Sequence, residues 1–448
     1  MPLFDGSQNT TITGGNFIDQ STNHNTSVTN GQTGIDILLK ASNCNAAHDS
    51  AAREYNPRCH PGTREQYNED IVYWAVPASG ADDPLPLFWM KGLAGVGKSA
   101  IAQMCAERLK ELGKLGATFF FSLNRREKAT EFIPTIVYQL STKFPDYRDL
   151  VDQRIHHDKA ILDKTMATQF EVLIVEPLQE LEKAGRGIGK RITVIVDGLD
   201  ECNSTDAQCK IIEIIAAAAR NGVTPFCWAF FSWPKAHIDA TFTCTDVAQV
   251  TCTTLLPISN DTDSDIELYL RNGFENILRR RDIPITFQWP SDNNIQTLVK
   301  ALKGLFIYVA TVLRDVDQAR SLEEALHTVC ATTANPGDDP PFAGLDAFYM
   351  SIMRRIPLKA LPTVLLLCRL SCSNDPAIIE ELRIHIRTKL GGSIYFYHKS
   401  FCDVLIDPTR SGSFCIQSSP TLNAYYKHSL EVLVKYEESY PFRGSGEV

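Results

Sequence analysis

Apolar and polar positions change rhythm along this chain, and the changes divide it. Nearly unbroken apolar runs occur at LFWM (87–90), ATFFFS (117–122), ITVIV (192–196) and PFCWAFF (225–231), with a weaker one in DVAQVTCTTL (246–255). Short runs of this kind suit strands buried on both faces, where neither side has to meet water. Between them the apolar spacing turns to three and four. This predicts helices over about 99–112, 132–144 and 169–184, the last broken or kinked near Pro177, and over 210–222, closed by Gly222. Strands alternating with helices imply an α/β fold, a parallel sheet with helices on both faces.

Beyond Pro257 the strand rhythm nearly vanishes. Helical spacing carries DSDIELYLRNGFENILRRR, IQTLVKALKGLFIYVATVLRDV, LEEALHTVC, LDAFYMSIMRRI, LPTVLLLCRLSC and PAIIEELRIHIRTKL, interrupted by the Pro-, Gly- and Asp-rich ATTANPGDDPPFAGL (331–345). A small mixed unit, SIYFYHKSFCDVLIDPTRSGSFCI, and a final helix follow. Residues 5–34 show neither rhythm. They are rich in Asn, Thr, Gly, Ser and Gln and bury too little apolar surface to offset the entropy of ordering. Within them TTITGGNFI is β-prone, a segment able to stack on copies of itself or to dock as a strand. The expected organisation is a tail over 1–34, a helical lead-in over 35–84 and an α/β core over 85–256. A helical domain over 257–330, a linker over 331–345, a second helical and mixed region over 346–440 and a tail over 441–448 complete it.

The chemistry gathers on LFWMKGLAGVGKS (87–99). Gly92, Gly97, Lys98 and Ser99 fill the fixed positions of G-x-x-x-x-G-K-[ST], with Leu93, Ala94, Gly95 and Val96 between them and Ala100 opening the helix. Glycines let the backbone curl until several N–H groups point into one small space, a nest for phosphate oxygens. The helix start adds its positive end. Lys98 then reaches the β and γ phosphates, and the Ser99 hydroxyl ligates Mg²⁺. The apolar strand before and the amphipathic AIAQMCAERLKEL after supply the context this motif requires. The residues predict a nucleotide site.

Composition narrows the setting. A chain of 448 residues exceeds one core and implies several domains. With 44 basic and 53 acidic residues the net charge is −9, which argues against a general nucleic-acid binder. Thirteen cysteines without a C-x-x-C pair favour reduced thiols in the cytoplasm over a disulfide framework. Cys44, His48, Cys59 and His60 match no structural zinc spacing. MPLFDGSQNTT has neither the basic region nor the apolar stretch of a signal peptide. The longest apolar windows, 304–313 and 362–368, are too short to span a bilayer.

A second cluster follows the strand 191–196. Asp197 closes that strand, so its carboxylate is expected at the C-terminal edge of the sheet, where parallel sheets bind ligands, holding Mg²⁺ opposite Ser99. Asp200 and Glu201 lie in a turn opened by Gly198, and either can orient or deprotonate a water that attacks the γ-phosphate, with Glu201 favoured. The alternative is that these acids merely start the next helix.

GLAGVGKS, followed about a hundred residues later by VIVDGLDEC, resembles the NACHT family within the STAND class of P-loop NTPases. More narrowly it resembles fungal NOD-like receptor proteins with a nephrocystin-like NACHT module. CHPGTR (59–64), FFFS (119–122), FIPTIVYQL (132–140), DIELYL (265–270), GLFIYVATV (304–312) and YHKSFCDVLID (397–407) agree, so the resemblance covers roughly 35–440. It implies a switch in which ADP holds a closed monomer and exchange to ATP opens it for homo-oligomer assembly and signalling to a partner yet to be identified. It also implies that 346–440 contains a short winged-helix-like unit and that His398 contacts the bound ADP; read alone, a single histidine there is ordinary packing. One position departs. Family members carry an arginine in an S-R-P context after the fourth strand, and this chain reads Ser232-Trp233-Pro234. Tryptophan offers no charge-assisted hydrogen bond to phosphate, and Lys235 is the nearest cation in sequence. The readings that follow are an ATP/ADP switch in fungal non-self recognition or programmed cell death with weak ATPase activity, a nucleotide-holding scaffold without effective hydrolysis, and a kinase or other transferase built on the same loop.

Overall fold

The structure, a computed structural model, describes residues 32–54, 58–80, 82–122, 128–257, 263–283, 289–333, 342–356, 361, 365 and 399–416. The tail expected over 1–34 lies almost wholly outside these residues, as do His398 and the final helix.

Five parallel strands form one sheet: β1 (Leu87–Lys91), β2 (Leu115–Phe120), β3 (Ile192–Asp197), β4 (Phe226–Ser232) and β5 (Thr251–Leu255). Their order is β2-β3-β4-β1-β5. The four apolar runs are its buried strands, and their alternate residues feed two cores. Phe88, Met90, Phe120, Ile195, Ala229 and Phe231 face one core; Trp89, Phe119, Val194, Val196, Trp228 and Phe230 face the other. The pleat sends successive side chains to opposite faces, so an unbroken apolar run is what two covered faces demand. The weaker run differs from expectation. Only 251–255 is strand, and 245–248 is a helical turn, because β5 is an edge strand whose outer residues meet water.

The first core packs α1 (Gly34–Ala41) nowhere; that helix belongs to the second, beside α4 (Phe132–Lys143) and α5 (Pro145–His157). Helix α5 went unpredicted in a polar stretch, yet Tyr147, Val151 and Ile155 fall four apart and bury one narrow stripe. The expected kink near Pro177 is a π turn, Glu171–Val175, between α6 (Met166–Phe170) and α7 (Glu176–Lys183). Proline cannot donate to the ladder, and the wider turn absorbs the mismatch. Helix α8 (Thr205–Arg220) starts five residues earlier than its apolar spacing suggests because the Ser204 side chain caps it.

The first core holds α2 (Glu65–Ala75) and α3 (Lys98–Glu111). It continues without a break into α9 (Asp263–Arg280), α10 (Asp292–Leu302), α11 (Phe306–Gln318), α12 (Leu322–Thr333) and α13 (Ala343–Arg354). A further helix, α14 (Lys399–Ile406), packs on α13, where the Tyr349 and Phe401 rings lie 5.0 Å apart. Among the described residues no helix is long and apolar enough to cross a membrane.

One side chain staples the lead-in to the sheet. Arg191, just before β3, donates to the carbonyls of Trp74 (2.6 Å), Ala75 (3.3 Å) and Pro84 (2.9 Å) and pairs with Asp83. These include the last carbonyls of α2, which no helical partner can satisfy. Arg191→Ala is expected to cost about 2–3 kcal/mol in urea unfolding, since it leaves buried acceptors unpaired. Arg191→Lys is expected to recover less than half of that, because an ammonium cannot reproduce the fork.

Candidate nucleotide-phosphate site

The backbone of the loop between β1 and α3 takes the shape the motif calls for. Gly95 and Gly97 adopt φ of 84° and 103°, a region closed to most side chains. A Cβ at Gly92 would meet the Leu256 carbonyl oxygen at 2.9 Å. The loop then delivers the chain into α3, whose N-terminus brings the positive end of the helix dipole to the loop. Leu93, Ala94 and Val96 supply the rest of the curl, and Ala100 bonds back to the Gly97 carbonyl at 3.1 Å. Lys98 folds over the loop, its ammonium 2.7 and 2.8 Å from the carbonyls of Gly92 and Leu93.

Asp197 ends β3 on the α3 face of the sheet, in register with Phe120 on β2 and Phe231 on β4. It is 3% exposed, and its Oδ1 has no hydrogen-bond partner. Burial pushes its carboxyl up to about 6; a hydrogen bond from Ser99, then the charges of Arg53 and Lys98, pull the other way. A buried carboxylate that meets the Ser99 hydroxyl and keeps one oxygen unpaired fits a hard divalent cation, so Ser99 and Asp197 are the residues that would hold Mg²⁺. Among the described residues no group of three or more His, Cys, Asp and Glu side chains is placed to hold a metal ion, and Cys44, His48, Cys59 and His60 form no such cluster.

Gly198 opens the next turn at φ 70°, with the Phe121 carbonyl 2.8 Å from where a Cβ would stand. The turn Leu199–Glu201 follows. Asp200 is buried and accepts the Trp233 N–H on Oδ1 (3.0 Å), while Lys235 Nζ donates to the Asp200 carbonyl at 2.6 Å. Of the two acids, Asp200 holds the segment after β4 and Glu201 is the more open to water. Strand order explains the link: β4 lies between β1 and β3, so Trp233 emerges between the phosphate loop and the Asp197 turn.

The flanking motifs converge on the same loop. Arg64, in CHPGTR, is 4% exposed and donates from Nη2 to the Val96 carbonyl (3.2 Å), and its guanidinium lies 4.7 Å from the Phe306 ring centre. Its Nε and Nη1 have no hydrogen-bond partner. The Arg64 N–H donates to Asp265 of DIELYL at 3.1 Å. Ile307, of GLFIYVATV, donates its N–H to the Gly95 carbonyl at 3.1 Å. Two carbonyls of the loop are thus held by segments on either side of the α/β core. These stretches carry the family resemblance, but nothing local in them marks the contacts they make.

Asp197 makes stability depend on pH in a definite direction. Its folded value near 6 lies above the ordinary 3.8, so the neutral form is favoured in the fold and that stabilisation is lost as pH rises from about 4 through 6. Asp197→Asn escapes the loss. Without nucleotide, its advantage over wild type in urea unfolding is expected to grow between pH 4 and pH 7 by on the order of 2–3 kcal/mol. A gap that stays flat with pH would contradict the burial of this carboxyl.

No curated protein matches the chain. Among solved structures, similarity extends to the Aeropyrum pernix ORC2 protein in its ADPNP-ADP complexes, at 11% identity and a TM-score of 0.40 over 85% of this chain and 97% of that one. C. elegans PCH-2 is similar at 11% identity and a TM-score of 0.34, over 66% and 70%. Drosophila ORC bound to DNA is similar at 14% identity and a TM-score of 0.30, over 82% of this chain and 64% of that one. Likenesses at these scores carry no argument about ligands. Residues 62–232 match the family described as nephrocystin 3, N-terminal. That stretch runs from the glycine of the CHPGTR segment to the last residue of β4 and takes in the phosphate loop and the Asp197 turn. Strand order and loop geometry make this a P-loop NTPase fold, and residues 62–232 of it are nephrocystin-like.

Proposed function

We propose that the chain is a Mg²⁺-dependent ATP/ADP switch of the NACHT type within the STAND class. The observation that carries this reading is the grip on the loop. Ile307 and Arg64 each hold one of its carbonyls, so a change in the loop is felt directly by the helical region and the lead-in. A ligand shifts such an equilibrium only through contacts that differ between its two states, and a terminal phosphate is a contact of that kind.

In this reading Gly92 to Ala100 cradle the phosphates with backbone N–H groups. Lys98 turns from the loop carbonyls to the phosphate oxygens, and Ser99 and Asp197 hold the metal. Mg²⁺ would supply charge neutralisation of the terminal phosphates. Glu201 orients a water, with Asp200 fixing the turn that carries it. His398 as an ADP contact belongs to the same proposal, as do homo-oligomer assembly on activation, a signalling partner and a cytoplasmic role in fungal immunity or programmed cell death. No nucleic acid is needed.

Trp233 favours a second reading, a scaffold that holds nucleotide without effective hydrolysis, since it presents no cation after β4. Nucleotide released from denatured protein separates the two. The switch predicts near-stoichiometric ADP in wild type and none in Lys98→Ala. Bound ATP that survives incubation with Mg²⁺ supports the scaffold, and empty wild-type protein overturns both. Trp233→Arg is expected to raise single-turnover hydrolysis by about tenfold or more if the missing cation is what limits it.

A further inference from the structure

The helix Ala236–Thr243 touches the segments that carry both motifs and belongs to neither. It follows Trp233 and Lys235 after β4 and lies beyond the family match, which ends at Ser232. On one side it is seated against β1. Phe242 stacks on Trp89 with ring centres 4.1 Å apart, and Ile238 is buried. Asp239 accepts from Lys91 Nζ at 2.9 Å, and Lys91 is the residue before Gly92, where the phosphate loop begins.

The same helix reaches the acidic turn through a relay. His237 Nε2 lies 2.6 Å from Gln208 Oε1, and Gln208 Nε2 donates to the Cys202 carbonyl, also at 2.6 Å. The second bond orients the amide. Its NH₂ faces a carbonyl, so its oxygen faces the ring, and His237 carries a proton on Nε2 to donate. Gln208 is 2% exposed, near the start of α8, and Cys202 directly follows the turn Leu199–Glu201.

The turn is therefore held at two places by one short stretch of chain. Trp233 and Lys235 grip Asp200, and His237 acts on Cys202 through Gln208. Glu201 is the residue between the two held positions. Satisfying a buried carbonyl accounts for the bond from Gln208 to Cys202. It does not account for the bond to His237, on a helix that is also paired with the end of β1. A misplacement of about 1 Å at a reacting centre can cost roughly a hundredfold in rate, so the spacing of this turn from the phosphate loop matters chemically.

We infer that Gln208 is a positioning residue that, with His237, holds Glu201 in place relative to the phosphate loop for the attack of water on the terminal phosphate. The inference rests on the hydrolysing form of the nucleotide reading and deepens it. In that step the water oxygen bonds to the γ phosphorus as the bond from that phosphorus to the bridging oxygen breaks. ADP leaves with the bridging oxygen, and the phosphate formed keeps both protons of the water, as H₂PO₄⁻. Glu201 accepts a hydrogen bond from the attacking water, while Gln208 and His237 act through the main chain of the turn.

The test pairs single-turnover hydrolysis of ATP with calorimetric titration of a non-hydrolysable ATP analogue, both on the full chain with Mg²⁺. Gln208→Met removes both bonds and His237→Phe removes the donor. Each is expected to slow hydrolysis by about tenfold or more and to change analogue affinity by less than about threefold. The double variant is expected to fall within about threefold of the slower single one, because the two residues form one relay. His237→Gln, which keeps a donor at similar reach, is expected to recover most of the rate. Unchanged hydrolysis, loss of rate and affinity together, or additive losses would make the pair ordinary packing and overturn the inference. If Gln208→Met does not fold, His237→Phe and His237→Gln read the same relay from its less buried end. A wild-type chain that does not hydrolyse ATP overturns this inference together with the reading it rests on. Hydrolysis at a rate these variants do not move overturns this inference alone.

Discussion

A phosphate loop is a backbone forced into a shape that its own side chains cannot hold, and the rest of this molecule is arranged to hold it. Gly95 and Gly97 accept the positive φ, but glycine gives freedom and no restraint. The restraint comes from outside. Leu256 closes against Gly92, Arg64 takes the Val96 carbonyl, and Ile307 takes that of Gly95. A buried carbonyl without a partner is costly, so these contacts lower the energy of the curl itself as well as joining segments. The lead-in, the sheet and the helical region meet at one small piece of main chain.

The same economy shows in the charges. Asp197 is buried with an unpaired oxygen, Arg64 is buried with two unpaired nitrogens, and both lie against the loop. Buried polar groups left incomplete in this way destabilise the fold taken alone. A charged ligand would complete them, so bound nucleotide and metal would stabilise this arrangement. Arg53 and Lys98 supply opposite charge to Asp197 without removing the cost of its burial.

Strand order fixes what can reach the phosphates. With β4 between β1 and β3, the segment Trp233–Lys235 lies next to the Asp197 turn, and Asp200 is committed to it through two hydrogen bonds. This separates two acids that look alike in sequence: Asp200 is buried and braces the turn, and Glu201 is half-buried. Trp233 thus stands beside the Asp197 turn, its N–H held by the Asp200 carboxylate.

Local chemistry alone placed the loop, the four main strands and Asp197. An apolar run, a glycine spacing and a carboxylate at a strand end each act through neighbours in sequence, so their signals survive without the fold. Helix α5 escaped because its stripe is only Tyr147, Val151 and Ile155, too thin to stand out among charged residues. Arg64 carried no sign of its contact with the loop, since an isolated arginine reads as a solvated surface group. Only the packed sheet brings Phe120 into register with Asp197 and sets α11 against the loop, contacts that span long stretches of chain. What sequence determined was the presence of a phosphate cradle; what tertiary structure decided was which distant cations and carbonyls close around it, because desolvation and hydrogen-bond satisfaction exist only once the chain is packed.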